Sequence, residues 1–275
     1  MNYRHKYHAG SFSDVIKHLV LTIIVQALQR KETPFCFLDT HAGIGLYELD
    51  SEEAQKKQEY QNGIAKLLLS DEKNFPEEIQ QYLFIIKKYN TKDELHFYPG
   101  SPFIAESLSR EQDQIILCEL HKEDINTLKE NMPRAKNIAI HHTDGYLGMK
   151  AFLPPKQKRG LVLIDPPFEA TDEFDQIFQS LKKALKHWRS GHFMIWYPIK
   201  DHDAVNDFYD HIESLHVENL IIHFSLNEIT ETEKLSSCGL LIINPPYQIK
   251  ETLEICLPIL SDALQARCEI LTAHT

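Results

Sequence analysis

The chain has 275 residues, 43% hydrophobic and 25% charged, which suits one large α/β domain with an insertion and the composition of an ordinary soluble globular protein. Its net charge of −11, from 29 basic and 40 acidic residues, argues against a protein that coats nucleic acid nonspecifically, though not against an enzyme with one local basic patch. No apolar run reaches bilayer-spanning length, no signal peptide opens the chain, and Cys36, Cys118, Cys238, Cys256 and Cys268 lie too far apart for a disulfide framework or zinc site, so a metal-free cytoplasmic protein is expected.

The first eighteen residues hold Arg4, His5, Lys6, His8, Lys17 and His18 against a single acid, Asp14, and by charge alone this is a solvated face. An amphipathic helix over about Ser13–Arg30 follows, with Ser11 or Ser13 as its cap. Seven apolar or β-branched runs then read as strands: Phe35–Thr40, Ile115–Leu120, Ile138–His142, Leu161–Asp165, Phe193–Pro198, Leu220–Phe224 and Leu240–Asn244. Helix-like stretches such as Asp172–His187 and Asp203–Leu215 separate most of them, which implies a mostly parallel sheet covered on both faces. One interval is too long. From Gly45 to Ile115 there are about seventy residues, where a crossover often needs only a few tens. Its charged helix-like segments, Glu52–Leu69 and Pro76–Tyr89, predict a small helical insertion over residues 50–92, between an N-terminal part, 1–49, and the remainder of the main domain, 93–275.

The strand ends carry the chemistry. After the first comes Asp39-Thr40-His41-Ala42-Gly43-Ile44-Gly45, a turn that lets backbone approach a nucleoside-bearing cofactor. A nicotinamide fingerprint would need a third glycine where Glu48 stands. The second strand ends in Glu119, a carboxylate placed to accept both ribose hydroxyls, and the third runs into Asp144 and Gly145, where Asp144 can accept an adenine amino group. The fourth ends in Asp165-Pro166-Pro167-Phe168. An adenine amino nitrogen is a poor nucleophile because its lone pair is conjugated with the ring. Acceptors that bind both N6 hydrogens draw it toward tetrahedral geometry, and the Asp165 carboxylate and Pro166 carbonyl can do this while the prolines hold the turn rigid. Phe168 then offers a face for an extruded base, stacking being worth about 1–3 kcal/mol per base.

A second turn of the same kind, Asn244-Pro245-Pro246-Tyr247, also follows a strand. In a methyltransferase-type sheet the seventh strand is antiparallel to the rest, which puts this turn at the edge away from the cofactor; it is expected to be structural.

With these residues in hand, the chain resembles the RlmJ family of 23S ribosomal RNA adenine-N6 methyltransferases. The matching stretches are Tyr3-Arg4-His5 with Tyr7-His8-Ala9-Gly10, Asp14-Val15-Ile16-Lys17-His18, Leu38-Asp39-Thr40-His41-Ala42-Gly43, Tyr98-Pro99-Gly100-Ser101-Pro102, Arg110-Glu111-Gln112-Asp113, Asp165-Pro166-Pro167, Trp196-Tyr197-Pro198 and Ile243-Asn244-Pro245-Pro246. The resemblance implies a class I S-adenosylmethionine-dependent methyltransferase fold, a Rossmann-like seven-stranded sheet with a small helical insertion after the first strand. It implies S-adenosylmethionine as cofactor and 23S rRNA as substrate, met before full ribosome assembly, with no membrane or metal partner. Carried over by position, His18, His41, Gly43, Ser101, Glu119, Asp144, Gly145 and Asp165 become cofactor contacts; Asp165, Pro166 and Phe168 become the catalytic turn. Tyr3, Arg4 and Lys17 become substrate-RNA residues. Phe168 departs from the more usual tyrosine, so stacking survives while a hydroxyl hydrogen bond is lost.

Two alternatives remain: a DNA adenine-N6 methyltransferase, against which stand the acidic chain and the lack of a target-recognition domain, and a noncatalytic RNA- or nucleotide-binding module. Without the resemblance, His41 reads as a turn cap, and His18, four positions after Asp14, as a helix-surface residue.

Overall fold

The computed structural model describes residues 5–91, 94–227 and 235–272. A turn of 3-10 helix at His5–Tyr7 leads into α1 (Phe12–Gln29), whose first turn is capped by the Ser11 hydroxyl. By length and composition α1 is a helix that can cross a bilayer, contrary to the sequence expectation, yet 78% of it is buried. A helix apolar all round belongs in a core, and α1 lies across one face of the sheet.

The first strand, β1 (Cys36–Asp39), is followed by β2 (Leu46–Glu48) and then the inserted helices α2 (Glu52–Lys57), α3 (Ile64–Leu69) and α4 (Glu77–Lys88). The first helix-like segment is broken because Gln58 turns left-handed (φ 52°) and closes α2. The inserted helices have no core of their own: Ile64, Leu67, Ile79, Tyr82 and Leu83 join the cluster that buries α1. The chain returns through β3 (Phe97–Pro99), which pairs antiparallel with β2, and α5 (Ser101–Leu108).

Thereafter strands and helices alternate: β4 (Gln114–Glu119), α6 (Lys122–Asn131), β5 (Ile138–His142), α7 (Gly145–Phe152), β6 (Gly160–Ile164), α8 (Glu173–His187), β7 (His192–Pro198), α9 (His202–Glu213), β8 (Asn219–Leu226), β9 (Ser237–Ile243), α10 (Ile249–Leu264) and β10 (Ala266–Thr272). The main sheet runs β10-β8-β9-β7-β6-β1-β4-β5. The five strands from β7 to β5 are parallel, while β9 is antiparallel to β7 and β8, and β10 is antiparallel to β8. The sheet therefore has eight strands rather than seven. The extra one, β10, pairs along a single edge and is only partly covered, so it lacks the continuous apolar run that marks its neighbours. Side chains alternate across the sheet into two cores. Phe37, Leu161 and Leu163 meet α1, α5 and α10, while Leu38, Val162 and Ile164 meet α7, α8 and α9. Strand order reverses at β1, and the loops leaving the carboxyl ends of β1, β4, β5 and β6 open on one crevice there.

Candidate active site

That crevice is a cleft of about 570 Å³, within the range of small-molecule sites. Asp165 lies just beyond the end of β6, half-buried at its floor, with buried Pro166 behind it and Phe168 held at a positive φ of 50°. The Phe168 ring meets Phe174 edge-on at 5.1 Å and Trp196 at 6.0 Å, so the cleft has an aromatic wall beside the carboxylate.

Lys17 completes this floor. Its ammonium lies 2.6 Å from Asp165 Oδ2 and 2.8 Å from Asp14 Oδ1, and 5.9 Å from the Trp196 ring centroid. Burial alone would lower the Lys17 pKa, but Asp14 and Asp165 outweigh it and hold it well above the usual lysine value. Asp14 is buried too; His5, whose Nε2 is 2.9 Å from Asp14 Oδ2, and Lys17 overcome its desolvation and keep it ionised. The structure thus moves Lys17 from the RNA-contact set to the site interior: at 4% exposure, between two carboxylates, its ammonium cannot reach a backbone phosphate. Tyr3 and Arg4, predicted beside it, lie outside the described residues.

The remaining predicted residues converge along the same cleft, which His18, His41, Gly43, Ser101, Glu119, Asp144, Gly145 and Asp165 all line. Glu119 Oε2 accepts the Gly43 N–H at 2.8 Å and Oε1 accepts the His121 N–H at 2.7 Å. These bonds fix the carboxylate at the strand end and leave one lone pair on each oxygen for a pair of hydroxyls. Asp144 caps α7, its side chain accepting the Leu147 N–H at 2.9 Å, while also lining the cleft. Gly145 packs so tightly that a Cβ there would stand 2.3 Å from the Thr40 carbonyl oxygen, and one on Gly43, which has φ 60°, would stand 2.2 Å from the Tyr47 hydroxyl.

Also along the cleft, Ser101 donates to Asp39 Oδ2 at 2.7 Å. The Thr40 hydroxyl donates to the Leu163 carbonyl at 2.9 Å, so its contact with His41 Nδ1 at 2.8 Å must be an N–H donated by the imidazole. That leaves His41 Nε2 as an acceptor, and burial pushes the ring pKa down to about 4, so it is neutral near pH 7. His18 is no helix-surface residue: it is buried, pairs through Nδ1 with Tyr98 Oη at 2.7 Å, and is held well below the usual histidine pKa by burial and then by Lys17. These groups fit a nucleoside with an amino-acid tail. Glu119 and Asp144 are placed where they could hold its sugar and base, and Ser101 with the two neutral imidazoles where they could hold its polar tail.

Sequence reasoning missed Asp14 and Asp39. Asp14 carried a signal, its place three residues before Lys17 on one helix, whereas nothing local marked Asp39 as buried behind Ser101. The second Pro-Pro turn lies where the topology argument put it. Asn244 Nδ2 donates to the Arg189 and Gly191 carbonyls, both at 2.8 Å, and its own carbonyl accepts from His192, all beside the amino end of β7.

Comparison with known proteins agrees over nearly the whole chain. Residues 32–271 match the family model described as Ribosomal RNA large subunit methyltransferase D, RlmJ. A Ribosomal RNA large subunit methyltransferase J from Haemophilus influenzae is 37% identical over 266 residues, 96% of this chain and 94% of that protein. Its namesake from Escherichia coli is 34% identical over 265 residues with the same coverage of both chains. A crystal structure of a protein from Legionella pneumophila superposes with a TM-score of 0.89 at 34% identity, covering 96% of this chain and 98% of that one.

Proposed function

Since this chain belongs to the RlmJ family of ribosomal RNA large subunit methyltransferases, its reaction is S-adenosylmethionine-dependent methylation of an adenine in 23S rRNA, and we propose that transfer to N6 takes place at the Asp165-Pro166-Pro167-Phe168 turn. The observation that carries this reading is the Lys17–Asp165 pair. With Oδ2 engaged by an ammonium at 2.6 Å, Asp165, which lines the cleft, keeps Oδ1 as a further acceptor. The Pro166 carbonyl takes the second N6 hydrogen, and Phe168 stacks on the extruded base.

S-adenosylmethionine, when bound, supplies a methyl group activated by its sulfonium charge. Glu119 and Asp144 orient the nucleoside end, and Ser101, His41 and His18 the amino-acid end. Asp165 need not deprotonate the amine in advance. Positive charge builds on N6 as the new bond forms, the ion-paired carboxylate stabilises it, and the strongly acidic proton then leaves to Asp165 or water. Lys17, shared between Asp14 and Asp165, holds the Asp165 carboxylate in place through the ion pair. We further propose that the reaction takes place in the cytoplasm, on rRNA not yet packed into a full particle, because the adenine must leave its stack to enter the cleft.

The experiment is single-turnover methylation of deproteinised rRNA at saturating cofactor, with nucleoside analysis of the product. Asp165→Ala should slow transfer about a hundred- to a thousand-fold, as for loss of one preorganised acceptor. Asn244→Ala should stay within several-fold of the parent rate. The reverse pattern would assign the chemistry to the second turn.

A further inference from the structure

From Gly145 to Ile164 the chain carries Lys150, Lys156, Lys158 and Arg159 and no acid. From Gln176 to Lys200 it carries Lys182, Lys183, Lys186, Arg189 and Lys200, again with no acid. All 40 acidic residues therefore lie elsewhere, against the remaining 20 of the 29 basic ones.

The fold joins the two runs. α7 and α8 pack against each other, and the loop after α7 reaches the foot of α8, where Trp188 Nε1 donates to the Lys158 carbonyl at 3.3 Å. Every one of these cations but Arg159 is exposed. Lys150 and Lys186 stand in the last turns of their helices, where they complement the helix dipole. That accounts for neither Lys156 and Lys158 in the loop nor Lys182 and Lys183 at mid-helix. Among the described residues, none of these six lysines is in an ion pair.

The same two helices begin at the cleft, which Gly145, Tyr146 and Glu173 line. Lys182 lies nine positions after Glu173 on α8, a descent of about 14 Å at 1.5 Å per residue, and Lys186 lies about 6 Å further. The strip is bounded. The first turn of α8 is acidic at Glu173 and Asp175, and neighbouring α9 carries Asp203, Asp207 and Asp210. The track therefore begins beyond the acidic first turn of α8 and offers a polyanion a run of exposed cations along the α7–α8 face that no acid of either run interrupts.

We propose that the α7–α8 face is the docking surface for the sugar–phosphate backbone of the rRNA flanking the extruded adenine. The proposal rests on the reading of the cleft as the site of rRNA methylation. The track touches no base, so it adds affinity and orientation while the cleft selects the adenine.

The test compares two triple variants with equal change in net charge. Lys182→Glu/Lys183→Glu/Lys186→Glu reverses the track. Lys129→Glu/Arg134→Glu/Lys136→Glu reverses the exposed cations of a groove beside β5. For each, rRNA affinity is measured across a salt series, cofactor affinity by calorimetry, and turnover on both rRNA and an adenine-containing oligonucleotide too short to reach α8. The track variant should lose about two from the slope of log affinity against log salt, at roughly 0.7–0.9 per phosphate contact, and its KM for rRNA should rise at least about tenfold. Cofactor affinity and turnover of the short oligonucleotide should match the parent. An unchanged slope, or an equal loss in both triples, would overturn the docking surface and leave the methylation reading standing. A parent enzyme that methylates no rRNA would sink that reading itself.

Discussion

Asp39 shows how burial alone tunes a residue in this site. It is fully buried, and desolvation pushes its carboxyl up to about 7 despite hydrogen bonds from Ser101 and the His41 N–H. The folded protein therefore holds this proton more tightly than the unfolded chain does, where an aspartate titrates at its ordinary value of 3.8. The stabilisation is complete below about pH 4 and is lost as pH rises toward 7, a change on the order of a few kcal/mol. In the cofactor-free protein, Asp39→Asn should match the parent at low pH and become more stable than it above neutrality. Denaturant titrations of both proteins between pH 4 and 8 check this, and a difference that does not vary with pH would mean that Asp39 stays ionised throughout. Lys17 illustrates what the sequence could not convey. Among six basic or imidazole side chains in eighteen residues it looks solvated, and only the all-round burial of α1 turns it into the counter-ion of Asp165.

Among the elements, the parallel strands were legible because β1, β4, β6 and β7 are short, largely buried apolar runs and only the edge strand β5 is half-exposed, and the acids at their ends could be read as one crevice before any fold was known. The inserted segment was legible as an excess of length with two helix-like stretches, of which Pro76–Tyr89 is α4 and Glu52–Leu69 is divided. Its break at Gln58 is a left-handed residue with no glycine to announce it, and its helices share the core of α1. The junction of α7 with β1 offers a sharp test. Gly145→Ala would press a methyl against the Thr40 carbonyl, backbone that cannot rotate away, so α7 must shift and carry Asp144 with it. A stability loss of about 1–3 kcal/mol is expected from such overpacking, together with cofactor binding weakened about tenfold or more. Thermal denaturation and calorimetry measure the two; unaltered cofactor affinity would detach Asp144 from the binding site.

Over the whole molecule, one sheet separates two cores, and its two Pro-Pro turns occupy opposite edges because β9 runs against β7. Similar tetrapeptides thus have different surroundings for a reason no local reading contains. The same sheet is finished by β10, which covers the free side of β8 over seven paired residues. Without it, the backbone of Asn219–Leu226, rich in Leu220, Ile221, Ile222 and Phe224, would offer an unpaired row of donors and acceptors to any other chain. A chain ending at Leu264 should therefore keep the cleft residues yet self-associate as its concentration rises, detectable by light scattering against the full-length protein; if it scatters no more than the parent, β8 tolerates an open edge. The closing strand would then matter less for what it builds than for what it prevents, keeping one copy of the enzyme from becoming a template for the next.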